Sequence, residues 1–172
     1  DCGNGVKPDG TAWCWGDGQF GALGNDSTSD SAVLVQVGTS GTGTLWDDWI
    51  EISAGRATSC GIRSDNSAWC WGDSRALGQS TGSNSYTPVR VGTSGTSTLW
   101  SDWVAITSQD YTNCGIRSNG TAWCWGMAGC SGAPSPEPRR VRVLGDRDVG
   151  IDRGGHSGGL QYRERLVLAT PG

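Results

Sequence analysis

The sequence predicts an all-β fold: blades of four short antiparallel strands, stacked as part of a β-propeller. Three observations predict it. The word Ala-Trp-Cys-Trp-Gly stands at 12–16, 68–72 and 122–126, a near-constant spacing of roughly 55 residues. Each repeat supplies about four short strand-like runs and no helical period. A blade of this size cannot bury both faces alone, so neighbours must stack on it. The 172 residues fit one domain. Its units are predicted at 2–59, 60–113 and 114–158, the match weakening after 126, with a degenerate hairpin at 159–172.

The second unit is the best preserved. Residues 60–72, Cys-Gly-Ile-Arg-Ser-Asp-Asn-Ser-Ala-Trp-Cys-Trp-Gly, alternate on both sides of a polar centre. They read as a β-hairpin turning through Ser64, Asp65 and Asn66. Asn66, Gly120 and Gly10 close the three loops, residue types that tolerate a left-handed backbone. Antiparallel counting from a Cys60 that faces Cys70, which a bulge would shift by one residue, puts Gly61 opposite Trp69 and Ile62 opposite Ala68. In the third unit it sets Gly115 opposite Trp123. In the first, with a longer turn through Lys7-Pro8-Asp9-Gly10, it sets Gly3 opposite Trp13. Each hairpin is then expected to carry a disulfide on one face and a tryptophan ring over a cross-strand glycine on the other. Both faces would be buried between neighbouring sheets.

Seven cysteines are present. No Cys-x-x-Cys clip occurs and histidine occurs once, so paired disulfides in an oxidising compartment are favoured over metal sites. The expected pairs are Cys2–Cys14, Cys60–Cys70 and Cys114–Cys124, with Cys130 left over. With 13 basic against 17 acidic residues and a net charge of −4, the chain lacks the basic surface of a nucleic-acid binder. No apolar run is long enough to span a bilayer. Residues 1–3 show no basic and apolar leader; a signal peptide is absent, already removed, or upstream of a fragment.

The remaining elements follow in order. After the first hairpin come a glycine-punctuated turn at 16–24, a polar loop at 25–31 and an apolar strand at 33–37. An insertion, Gly-Thr-Ser-Gly-Thr and then Leu45-Trp46-Asp47-Asp48-Trp49, leads to the strand Ile50-Glu51-Ile52. The second unit repeats this order through Leu77-Gly78, Pro88-Val89-Arg90-Val91, Leu99-Trp100-Ser101-Asp102-Trp103 and Val104-Ala105-Ile106. In the third, Pro134, Pro136 and Pro138 follow Cys130, and Val141-Arg142-Val143 is matched to Val89-Arg90-Val91. Val149-Gly150-Ile151 then matches Val104-Ala105-Ile106. Gly159 and Ala169 fall on the two cysteine positions. The other reading of this tail is a disordered or altered Arg- and Gly-rich end.

The order Cys-Gly-Ile-Arg-Ser, Ala-Trp-Cys-Trp-Gly, Gly-x-Leu-Gly, Pro-Val-x-Val, Ile-x-Ile resembles the regulator-of-chromosome-condensation repeat family. It is most similar to the cysteine-bearing form in secreted or surface-attached bacterial proteins. The resemblance covers 2–126 well and 127–170 weakly. It implies a seven-bladed propeller, of which this chain would hold about three blades and a hairpin. The chain would be a fragment, or a partner in an assembly that closes the ring. An open stack would expose tryptophan-bearing end faces and strand edges.

Candidate chemistry is sparse. His156 with Ser157 could begin a Ser-His-Asp set, but no Gly-x-Ser-x-Gly stands nearby; a structural role is favoured. Asp17 and Asp73 follow the repeated word and read as turn formers rather than a carboxylate pair. Asn25 and Asn119 open chance-level glycosylation sequons, and no phosphate-binding loop is present. Trp46, Trp49, Trp100 and Trp103, beside acidic residues, are a possible binding surface. The competing reading packs one tryptophan of each pair into the core.

The expectation is a non-enzymatic, secreted or cell-surface module, periplasmic if not extracellular. It would bind another protein or a glycan, with no cofactor, no metal and no nucleic acid. Family members that are exchange factors or protein inhibitors of β-lactamase suggest protein binding. The alternatives are an exchange factor or intracellular scaffold, and a carbohydrate-binding or hydrolytic propeller.

Overall fold

Three antiparallel sheets stand in sequence order in a computed structural model that describes residues 2–38, 45–80, 82–92, 99–127 and 135–141. The first is β1 (Cys2–Val6), β2 (Ala12–Gly16) and β3 (Ser31–Gln36). The second is β4 (Trp49–Ala54), β5 (Thr58–Arg63), β6 (Ala68–Gly72) and β7 (Ser85–Arg90). The third is β8 (Trp103–Gln109), β9 (Thr112–Arg117), β10 (Ala122–Gly126) and β11 (Ser135–Val141). This is a partial β-propeller. Each four-stranded sheet starts one strand ahead of its cysteine hairpin, so the blade straddles the sequence boundary at residue 60 or 114. The expected hairpin at 159–172, Cys130 and His156 lie outside the described residues.

The pairing in the second and third sheets is the expected one. Cys60 faces Cys70, Gly61 faces Trp69, and Gly115 faces Trp123. Cys60–Cys70 and Cys114–Cys124 are disulfides. Alternation then gives each sheet two unlike faces. On the cysteine face of the second sheet, Cys60, Ile62, Ala68 and Cys70 pack against Trp103, Ile106 and Trp125 of the third. On its tryptophan face, Trp49 and Trp71 pack against Ala12, Cys14, Leu23 and Val37 of the first. Cysteine face meets tryptophan face at both junctions.

The first hairpin corrects the sequence reading. Cys2 and Cys14 are free thiols. Asn4, not Cys2, faces Cys14; Gly5 faces Trp13 and Gly3 faces Trp15. The reason lies in the turn. Gly10 N–H donates to the Lys7 carbonyl, as Asn66 does to Arg63 and Gly120 to Arg117, at 2.8–2.9 Å. The three turns therefore have one length, closed at Gly10, Asn66 and Gly120 with φ of 79°, 58° and 75°. No longer loop exists to bring Cys2 level with Cys14. Asn4 takes the cysteine position. In the orientation that satisfies both neighbours, its amide donates to the Ile52 carbonyl and accepts from Ala54 N–H, each at 3.1 Å, tying β1 to β4. Burial pushes both thiols above their ordinary pKa, Cys14 the further. Intact mass after thiol blocking is therefore expected to label Cys2 and Cys14 and to spare the other two pairs. A mapped Cys2–Cys14 peptide would contradict this register.

Two further corrections follow. The ring over Gly61 is Trp49, and the ring over Gly115 is Trp103, rather than Trp69 and Trp123. A Cβ at either glycine would meet the covering indole at 2.7 Å. A bulge between Trp49 and Glu51, and another between Trp103 and Ala105, adds one residue to the strand and re-aims the preceding tryptophan inward. In β11, Arg139 faces Cys124 and Arg140 faces Trp123, where Val89 and Arg90 face Cys70 and Trp69 in the second sheet. Val141, not Val143, thus takes the place of Val91. Pro136 and Pro138 fit because β11 is an edge strand.

Candidate binding surface

The hairpin turns share one rim with the described ends of the two insertions. Residues 45–48 and 99–102 enter it, and backbone bonds stitch them down. Trp49 N–H donates to the Gly10 carbonyl at 3.0 Å and Trp103 N–H to the Asn66 carbonyl at 3.1 Å. Ser64 N–H reaches the Asp48 carbonyl at 2.8 Å, and Ser118 N–H the Asp102 carbonyl at 2.7 Å. Each loop is thus held both by the preceding sheet's turn and by its own.

On this frame the same four-residue cluster is built twice. Arg63 Nε donates to Asp48 Oδ1 at 2.8 Å while its guanidinium lies 4.0 Å over the Trp46 ring. Arg117 Nε donates to Asp102 Oδ1 at 2.8 Å and lies 4.2 Å over Trp100. Trp46 meets Trp69 at a centroid distance of 4.7 Å, and Trp100 meets Trp123 at 4.6 Å. Trp69 and Trp123 point to the rim because their indole N–H groups bond Ser67 Oγ and Thr121 Oγ1, two residues back. The carboxylate fixes the guanidinium, and the guanidinium fixes the indole plane. A preordered aromatic loses little freedom on binding. Lys7 lies 3.8 Å over Trp13 at the corresponding place in the first sheet.

Of the four candidate tryptophans, the structure divides each pair. Trp49 and Trp103 are 2% and 0% exposed and leave the candidate surface, turned inward by the bulges. Trp46 and Trp100 are half-buried on the rim. Beside them the structure exposes residues that the sequence reading passed over: Leu45, Ile50, Leu99 and Val104, each about half accessible. Ile50 and Val104 are the bulge residues. Asp48, Arg63, Asp102 and Arg117 were also missed. Their signal was available, since each acid precedes its arginine by 15 residues in both repeats.

Asp17 and Asp73 are turn formers. Each accepts the backbone N–H two residues on, from Gln19 at 2.8 Å and from Arg75 at 2.9 Å. The Arg75 side chain also holds the Asp73 carboxyl below its ordinary pKa, against the opposing effect of burial. Among the described residues, no group of three or more His, Cys, Asp or Glu side chains is arranged to hold a metal ion. No described helix is long and apolar enough to cross a membrane.

Residues 9–62 and 49–79 match models of the regulator of chromosome condensation (RCC1) repeat. The fold is similar to that of human WBSCR16, with a TM-score of 0.66 and 16% identity over 82% of this chain and 35% of that one. It is also similar to yeast RCC1 (Prp20) in its complex with Kap60, with a TM-score of 0.61 and 15% identity over 83% of this chain and 35% of that one. A further structure of Prp20p from Saccharomyces cerevisiae, described with its binding to Gsp1p and histones, gives 0.62 and 15% over 83% and 36%. The chain spans about a third of the length of each. A search of curated protein sequences found no match.

Proposed function

We propose that this partial β-propeller of RCC1 repeats is a protein-binding module, secreted or displayed at a bacterial cell surface, that engages its partner through the rim around Trp46 and Trp100. The observation that carries the reading is the duplication of one preordered cluster. Trp46, Arg63 and Asp48 recur as Trp100, Arg117 and Asp102 one blade away, each flanked by an exposed leucine. Binding energy at protein interfaces concentrates on such anchored aromatics and arginines. The ion pairs are partly exposed and add little stability themselves; their value is in orientation. Solved propellers of similar fold bind Kap60, Gsp1p and histones, which supports protein rather than small-molecule recognition. Two disulfides among the described residues favour an oxidising compartment.

The test is affinity capture from the extracellular and surface fractions of the source cells. The bait is the wild-type chain or a Trp46→Ser, Trp100→Ser double variant whose circular dichroism matches wild type. A protein retained by wild type and weakened at least tenfold by the double substitution is the expected result. Equal retention by both baits, or selective retention of glycans alone, would overturn the proposal.

A further inference from the structure

Arg63, Arg75 and Arg117 each hold an aspartate, in two different ways. Arg75 uses its fork. Nε donates to Asp73 Oδ1 at 2.8 Å and Nη2 to Oδ2 at 2.6 Å. That is the arrangement in which a guanidinium and a carboxylate satisfy each other. Arg63 and Arg117 use Nε alone, on Asp48 and Asp102, each at 2.8 Å. The second carboxylate oxygen of Asp48 takes Ser64 Oγ instead, at 3.3 Å. Nη1 and Nη2 of both rim arginines have no hydrogen-bond partner among the described residues, yet none of them is a buried orphan. Of the two side chains, 21% and 18% stay accessible. Their faces are taken: the guanidinium of Arg63 lies 4.0 Å over Trp46, and that of Arg117 lies 4.2 Å over Trp100. With one face stacked and Nε bonded, each arginine offers solvent the edge between its two amino groups.

We propose, resting on the rim reading above, that the segment of the partner protein that docks here is acidic. One of its carboxylates would sit on the Nη1–Nη2 edge of Arg63 and another on that of Arg117. Aliphatic side chains of the same segment would lie against Leu45 and Leu99, which are next in the chain to the stacked indoles and about half accessible. Two coplanar N–H groups match the two oxygens of one carboxylate. An amide brings one acceptor and one donor to that edge and forfeits a bond. The stacking and the Nε bond fix the edge before the partner arrives, so little freedom is lost on docking. Asp48 and Asp102 cancel their arginines at a distance. Recognition is therefore by the short-range fork rather than by a positive field, in keeping with a chain of net charge −4.

The probe is a synthetic peptide, Leu-Glu-Glu-Leu-Leu-Glu-Glu-Leu with blocked ends, titrated into the intact chain by isothermal calorimetry. Its twin carries glutamine for every glutamate. Saturable binding of the acidic peptide is expected, with the twin at least tenfold weaker on the same wild-type protein, a comparison that needs no variant. A chain with Arg63→Lys and Arg117→Lys, its circular dichroism matching wild type, keeps both charges without the fork and should also bind at least tenfold more weakly. Equal affinity for the two peptides, equal affinity of the two chains, or no saturation up to about 1 mM peptide would overturn the proposal. The rim reading fails separately. A protein lost from the Trp46→Ser, Trp100→Ser bait but held in full by the double lysine bait would leave the rim standing and remove the acidic segment.

Discussion

Replacing Trp71 by alanine is expected to lower the free energy of unfolding by about 4 kcal/mol, in the range for a large aromatic removed from a packed interior. Trp71 is fully buried. Its ring stands edge-on to Trp49 at 5.7 Å and belongs to the cluster that joins the first and second sheets. Its indole N–H donates to the Ala22 carbonyl at 2.9 Å. Loss of that bond is the smaller part of the effect, because Ser59 Oγ donates to the same carbonyl at 2.9 Å and would continue to satisfy it. The larger part is the cavity and the lost contacts. Trp71→Phe keeps much of the ring and should cost far less. Trp125→Ala should behave like Trp71→Ala, since Trp125 and Asn113 share the Ala76 carbonyl in the same manner. Trp15→Ala, at the exposed equivalent, should change stability by no more than about 1 kcal/mol. Urea midpoints read by circular dichroism, with slopes unchanged, give the comparison. A Trp71 effect no larger than that of Trp15 would mean that the sheets do not dock as described.

The hairpins were legible because side chains mark them. Equal spacing between Cys60 and Cys70 and between Cys114 and Cys124 fixes a register once the loop is found, and a pleated strand then assigns both faces. The first hairpin was misread because the cysteines drew the alignment. Asn4-Gly5-Val6 carries the pattern of Cys60-Gly61-Ile62 with asparagine in place of the cysteine and valine in place of the isoleucine, and the turn length alone decides between the two registers. The inward turn of Trp49 and Trp103 was not legible, because a bulge residue such as Ile50 or Val104 looks like any strand residue. Nor were the Ala22 and Ala76 carbonyls, which receive the buried indoles. A backbone acceptor leaves no mark in the side-chain sequence. Half of the candidate surface was legible: Trp46 and Trp100 stand on the rim, while the arginines that stack on them lie a turn away in sequence and become neighbours only through the sheet.

The last residue of the repeated word explains why the word ends in glycine, and its replacement should also be costly. Gly72 has a φ of 107°, and Gly16 and Gly126 have 110° and 117°. Side-chain-bearing residues avoid that region. Here the conformation is required, because it turns the chain so that Asp73 N–H reaches the Ala57 carbonyl at 3.0 Å, as Met127 N–H reaches Tyr111. A Cβ at Gly72 would lie 2.2 Å from the Ala57 carbonyl oxygen, and one at Gly126 would lie 2.0 Å from that of Tyr111. Both obstacles are backbone atoms of the residue that leads into a paired strand, β5 or β9, and each carbonyl already accepts a backbone N–H, so neither can move without disturbing the strand that follows. Gly72→Ala therefore combines backbone strain with a steric clash, each of order 1–3 kcal/mol, for a combined loss of about 3 kcal/mol or more. Gly120→Asn is the informative control. Gly120 also has a positive φ, but nothing stands near its Cβ position, and Asn66 already occupies the equivalent turn. That change should stay within about 1 kcal/mol of wild type, since asparagine tolerates the left-handed region. Should Gly72→Ala unfold at the same denaturant concentration as Gly120→Asn, the tight approach of β5 to the end of β6 would be wrong, and with it the alignment of the strands that carries the rim.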